Sequence, residues 1–103
     1  MQNQKITQIH NTLSPAALYG QLAEECAELA QVALKLQRLC MKENPPRKAE
    51  TELMRSLQEE ISDVELCIEC IGFSPDDTYF ENTSHKIDRW LSIIEKAMEE
   101  NNG

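Results

Sequence analysis

Apolar residues recur every three to four positions along most of this chain, and breaks in that rhythm divide it into four helical stretches. Ile6, Ile9 and Leu13 lie on one face of a short opening helix. Ser14-Pro15 is a helix-start signal, with Ser14 as N-cap and Pro15 at the first helical position, where its missing N–H is not needed. A long helix is predicted over about residues 15–41, with Leu18, Leu22, Cys26, Leu29, Ala33, Leu36 and Cys40 as its apolar stripe. Asn44-Pro45-Pro46 breaks it, because proline lacks an N–H and disfavours helix in the residue before it, so 42–48 is a loop.

A second long helix is predicted over about 49–71, with Leu53, Leu57, Ile61, Val64, Ile68 and Ile71 as its stripe and Gly72 as its cap. Ser74-Pro75-Asp76-Asp77 repeats the start signal, with acids in the first turn, where the helix dipole favours them. The last helix runs over about 76–99, and its stripe is Phe80, Thr83, Ile87, Trp90 or Leu91, Ile94 and Met98. No strand pattern, internal repeat, low-complexity segment or domain boundary interrupts this series. The expected fold is therefore an all-α helical bundle forming a single domain over 1–103.

The chain has 103 residues, enough for one modest core, and short chains often gain stability by pairing with another copy. Its formal net charge of −8 repels nucleic-acid backbones, and no basic stripe offsets it, which argues against binding a nucleic-acid polymer. No stretch approaches the roughly 20 apolar residues of a membrane span, and MQNQKITQIH lacks the basic-then-apolar pattern of a signal peptide. The expectation is a cytoplasmic protein with no membrane partner, whose four cysteines are reduced thiols.

Acids placed among the apolar positions change this bland picture. On a helical wheel with Leu22 at zero, Leu18, Leu29, Ala33 and Leu36 fall within about 40°. Glu25 falls about 60° away, inside the apolar sector, and Glu28 about 120° away on the same side, while Glu24 points nearly opposite. In the second helix, Glu60 lies about 20° from Leu53 and Asp63 about 80° away on one flank. Glu59, Glu65 and Glu69 lie outside the stripe, as solvated acids should. Each long helix thus carries an i,i+3 carboxylate pair with one member in the apolar stripe. A lone buried carboxylate is costly, so it must be paired, protonated or metal-bound. One intruding acid is most simply a residue that reaches water at a helix edge. Two matched pairs on consecutive helices, brought together by antiparallel packing, instead offer four oxygen ligands to Mg²⁺ or Mn²⁺. No Glu-x-x-His is present, so the di-iron bundle pattern is absent.

Glu24-Glu25-Cys26-Ala27-Glu28 followed by Glu60-Ile61-Ser62-Asp63 resembles the EExxE…ExxD signature of the MazG-like, all-α nucleoside triphosphate pyrophosphohydrolases. The surrounding LAEECAELAQVALKLQR and LQEEISDVELCIECI are similar in style, and the resemblance covers roughly residues 15–100. It implies a helical bundle assembled as a homodimer or homotetramer. It also implies Mg²⁺-dependent hydrolysis of a (deoxy)nucleoside triphosphate to the monophosphate and pyrophosphate, as in cleaning of the nucleotide pool. By motif position, Glu25, Glu28, Glu60 and Asp63 are the implied metal ligands and catalytic residues. The family tends to place basic residues on the last helix, and Asn82, Lys86 and Arg89 share one flank there. These three, with Lys35 on the first long helix, are candidates for holding phosphates.

Two other readings stand beside this one: a non-catalytic helical interaction module, and a relative of the family that only senses nucleotides. Cys67-Ile68-Glu69-Cys70 is a CxxC, but Cys26 and Cys40 lack zinc-finger spacing and no strand precedes it, so buried structural thiols are expected. Cys67 lies one turn beyond Asp63 and is placed to line the site. His10 and His85 are isolated from any nucleophile pattern, Trp90 is expected in a core or interface, and no glycine-rich phosphate loop is present.

Overall fold

A computed structural model describes residues 2–102 of the chain. It contains four helices: α1 (Gln2–Thr12), α2 (Pro15–Cys40), α3 (Arg47–Cys70) and α4 (Asp77–Asn102). No strand occurs among the described residues. The residues group into two compact units, Met1–Phe73 with α1 to α3 and Ser74–Gly103 with α4.

The helix ends follow local chemistry. Ser14 Oγ accepts a hydrogen bond from the Ala17 amide at 3.1 Å, with Pro15 at the first helical position, as expected. Such a cap contributes about 1 kcal/mol. α3 begins at Arg47, two residues before the expected start, because Pro46 serves as its N-cap and the helix opens directly behind the proline pair. At α4 the cap is Asp76, whose Oδ1 accepts from the Thr78 amide at 2.9 Å and the Tyr79 amide at 3.4 Å. A carboxylate there also meets the positive end of the helix dipole, which a serine two residues earlier would not. α4 continues to Asn102, past the expected 99, since nothing from Glu99 to Asn102 breaks a helix.

The end of α3 is a Schellman turn. Gly72 N–H donates to the Glu69 carbonyl at 3.0 Å and Phe73 N–H to the Ile68 carbonyl at 3.4 Å. Gly72 adopts φ of 79°, and a Cβ there would lie 3.0 Å from His10 Cε1. Glycine is thus required for both the backbone angle and the approach of α1. His10 Nδ1 lies 2.8 Å from the Cys70 carbonyl oxygen. A carbonyl only accepts, so Nδ1 carries the proton, and α1 satisfies one of the carbonyls that the end of α3 leaves open. This gives His10 a structural role that its isolation in the sequence had not suggested.

α2 and α3 pack as an antiparallel hairpin: Leu18 of the first turn of α2 shares a cavity wall with Cys67 and Cys70 at the end of α3. The hairpin seam differs from the expected stripes. On α2 the covered positions are Leu18, Leu22, Glu25, Leu29, Val32, Leu36 and Leu39, alternating by four and three. On α3 they include Ala49, Leu53, Ser56, Glu60, Asp63, Cys67 and Cys70, with the same alternation, and Leu57, Val64, Ile68 and Ile71 along one flank. That is the 3.5-residue repeat of two helices packed side by side. Cys26, Ala33 and Cys40, expected in the stripe, are exposed, as is Ile61 at 39%. The apolar sector is wider than one seam, and the partner helix covers only the side centred on Glu25 and Val32. Leu18, Val32, Leu39 and Cys70 are the buried residues of this unit, and each large one contributes about 1.5–3 kcal/mol.

α4 is amphipathic, as its pattern predicts, but its stripe is not covered: every described residue from 77 to 102 is exposed, Trp90 at 71%. Trp90, expected in a core or an interface, is exposed in the chain by itself. No described helix is long and apolar enough to cross a membrane.

Candidate metal centre

The 3.5-residue repeat places Glu25 of α2 and both Glu60 and Asp63 of α3 at seam positions. Because the helices run antiparallel, the three meet near the middle of the hairpin. One carboxylate oxygen from each lies within 4.8 Å of the other two, and all three residues are half-buried. Glu25 therefore occupies the centre of the seam and not the shoulder that a wheel centred on Leu22 assigns to it.

Two of the oxygens are conspicuous by their surroundings. Glu25 Oε2 and Glu60 Oε2 are buried from solvent and have no hydrogen-bond partner. Glu25 Oε1 accepts from Gln21 Nε2 at 2.9 Å, one turn earlier on α2. The Glu25 carboxyl titrates above its ordinary 4.5, chiefly because burial penalises the anion. The Gln21 hydrogen bond opposes that rise, and Glu28 and Asp63 add to it. The Cys67 thiol is also held above its ordinary value, first by burial and then by Glu25, Cys70, Asp63 and Cys26. Cys67 thus borders the acids, as its spacing from Asp63 predicts.

A divalent cation fits this set. The unpartnered oxygens are hard donors, which match Mg²⁺ or Mn²⁺ and not a thiolate-seeking metal. Opposite ligands of one Mg²⁺ stand about 4.2 Å apart, close to the span of the trio. Three converging carboxylates concentrate negative charge that a divalent ion would offset.

The four residues expected as ligands do not all converge. Glu25, Glu60 and Asp63 come together; Glu28 is exposed and lies outside the trio, although its carboxyl acts on that of Glu25. On a wheel centred on Glu25, Glu28 and Lys35 fall about 60° and 80° to the same side. On α3, Asp63 falls about 60° to the corresponding side of Glu60. Wheels of antiparallel helices turn in opposite senses, so Glu28, Lys35 and Asp63 flank one and the same face of the hairpin. Charge on α2 is confined to the seam and this side: Glu24, Glu25, Glu28, Lys35 and Arg38 all lie there, and the opposite side, with Tyr19, Ala23, Cys26, Ala30, Ala33 and Gln37, has none. Asn82, Lys86 and Arg89 are exposed on α4, where Lys86 and Arg89 border a shallow surface depression with Trp90 and Ile93.

The sequence reading missed Gln21, the hydrogen-bond donor to Glu25. Its signal was the i,i+4 spacing, which puts an amide one turn ahead of the acid on the same line. No family model matches the chain, and neither does any curated protein or any solved structure.

Proposed function

We propose that this chain is a Mg²⁺-dependent nucleoside triphosphate pyrophosphohydrolase that releases the monophosphate and pyrophosphate. One observation carries the reading: Glu25 Oε2 and Glu60 Oε2 are buried and unpartnered within a three-carboxylate cluster. A cation satisfies acids in that state, and the resemblance of EECAE…EISD to the MazG-like signature supplies the reaction. Glu25, Glu60 and Asp63 hold the metal, with Glu28 beside them on the open flank; Mn²⁺ satisfies the same donors. When bound, the ion offsets the charge of the triphosphate and lowers the pKa of a coordinated water. Gln21 fixes the orientation of Glu25, and the hydrophobic seam on either side keeps the carboxylates from turning outward. Lys35, on the same face, takes phosphate charge. Such catalysis rests on positioning and electrostatics, which rigid helices provide. A cytoplasmic location accompanies this reading.

The exposed apolar stripe of α4, with Phe80, Ile87, Trp90, Leu91 and Ile94, favours a second element of the proposal: the chain assembles as a homodimer or homotetramer. The same stripe is what a non-catalytic interaction module would present. Incubation with a panel of ribo- and deoxynucleoside triphosphates and Mg²⁺ separates the readings. Pyrophosphate and monophosphate are the expected products, and saturating Mg²⁺ raises the melting temperature because it binds only the folded state. Release of orthophosphate, or no turnover with no thermal shift, removes the enzyme reading.

A further inference from the structure

A cavity of about 410 Å³ lies in the first unit, walled by Ile9 and Leu13 of α1, Ala17, Leu18 and Gln21 of α2, and Leu66, Cys67 and Cys70 of α3. Its size falls within the roughly 300–1,000 Å³ range of small-molecule sites. No charged side chain lines it, and Gln21 is its one polar side chain besides the two thiols. Two of its wall residues border the acid trio. Gln21 donates to Glu25 Oε1 at 2.9 Å, and Cys67 is close enough to Glu25 and Asp63 for both to act on its thiol.

The cavity lies on the phosphate side of the hairpin. On the wheels used above, Ala17, Gln21, Leu66, Cys67 and Cys70 fall to the same side as Glu28, Lys35 and Asp63. The order along α2 is then cavity at 17–21, acids at 25 and 28, and cation at 35. One turn, about 6 Å, separates Gln21 from Glu25, and two turns, about 10 Å, separate Glu28 from Lys35. An apolar recess, a divalent-cation site and a lysine therefore follow one another on one face. That is the order of chemistry along a nucleotide: an uncharged ring, an inner phosphate and an outer phosphate.

We infer that this cavity receives the nucleobase of the substrate and that Gln21 reads its edge. The inference rests on the pyrophosphohydrolase reading of the acid trio. Gln21 commits one N–H to Glu25, and its amide keeps a second N–H and a carbonyl oxygen. A donor beside an acceptor matches the paired donor and acceptor that a base presents along its hydrogen-bonding edge. By bonding the base and Glu25 at once, Gln21 is a positioning residue that links base recognition to the orientation of a metal ligand.

Methyl NMR of the full chain tests this. Mg²⁺ is added with the α,β-imido analogue of dATP, dCTP, dGTP or dUTP, and in a parallel arm with tripolyphosphate, which has phosphates and no base. At least one nucleotide analogue is expected to shift the methyls of Ile9, Leu13, Leu18 and Leu66 together with those of Leu22 and Leu29 beside the acids. Tripolyphosphate should shift only Leu22 and Leu29. Leu66→Trp, at a half-exposed position that tolerates size, should weaken binding of that analogue roughly tenfold and leave tripolyphosphate binding unchanged. Analogue shifts confined to Leu22 and Leu29 overturn the inference and leave the pyrophosphohydrolase reading standing. No shift at either set in any arm removes the reading and the inference together. Cavity methyls that shift with protein concentration, before any nucleotide is added, assign the cavity to a second copy of the chain and also overturn it.

Discussion

The seam between α2 and α3 has two stretches built on one repeat with opposite chemistry. Toward the turn, Val32, Leu36 and Leu39 meet the start of α3, with Leu53 at the equivalent position, and Val32 and Leu39 are less than a tenth exposed. One or two turns earlier on α2, the same repeat delivers Glu25 against Glu60 and Asp63, with two carboxylate oxygens buried and unpartnered. The apolar stretch does what a hairpin needs for stability. The acid stretch works against it, since apolar residues of similar volume at buried ionic positions are often neutral or stabilising. On the proposed function, the acids at these seam positions are where the fold gives up stability for chemistry.

The largest effect that would break this contrast is catalytic. Glu60→Gln keeps the side-chain volume and removes the charge, so it should lower turnover at least about a hundredfold with the helical circular dichroism unchanged. A fully active variant would take Glu60 out of the site. The next effect belongs to the apolar stretch. Leu39→Ala should destabilise by about 2–4 kcal/mol in chemical denaturation and leave the Mg²⁺-induced rise in melting temperature intact. A Leu39→Ala protein that lost the response to Mg²⁺ would show the two stretches to be coupled.

The smallest effect is a pH dependence. Glu25 has a raised carboxyl pKa in the folded chain, so the unfolded chain releases that proton first as pH rises. Without Mg²⁺, the melting temperature should fall as pH climbs from below 4.5 through the raised value, and the loss should be complete above it. The difference between wild type and Glu25→Gln isolates this slope from the other carboxylates. A difference that is flat, or rises with pH, would mean that the folded protein stabilises the Glu25 anion.

The positions of these acids were partly legible. An ExxE and an ExxD pair, each with one acid in an apolar stripe, pointed to Glu25, Glu28, Glu60 and Asp63 from sequence periodicity, and three of the four come together. Glu28 has the same spacing but sits on the open flank, since the seam of α2 steps by four after Glu25, to Leu29, whereas that of α3 steps by three after Glu60, to Asp63. Gln21 and the cavity beside it were not legible, because they depend on where α1 lies against α3. That placement is fixed by His10, Gly72 and the Cys70 carbonyl, a contact spanning sixty residues.

Helix starts and stops were written in the sequence to within three residues, the cap of α4 falling on Asp76 and not on Ser74. Ser14, the Pro45-Pro46 pair, Asp76 and Gly72 act on backbone groups within a few residues, so no tertiary information is needed to read them. The side of each helix that becomes the seam was decided only by tertiary structure. The apolar sector of α2 is broad enough to hold two lines, Cys26–Ala33–Cys40 and Glu25–Val32–Leu39, about 100° apart. Hydrophobicity favours the first line, which lacks the glutamate. Packing against α3 selects the second, because two antiparallel helices bury whichever rows their side chains can jointly fill, and that choice carries Glu25 to the centre of the acid trio.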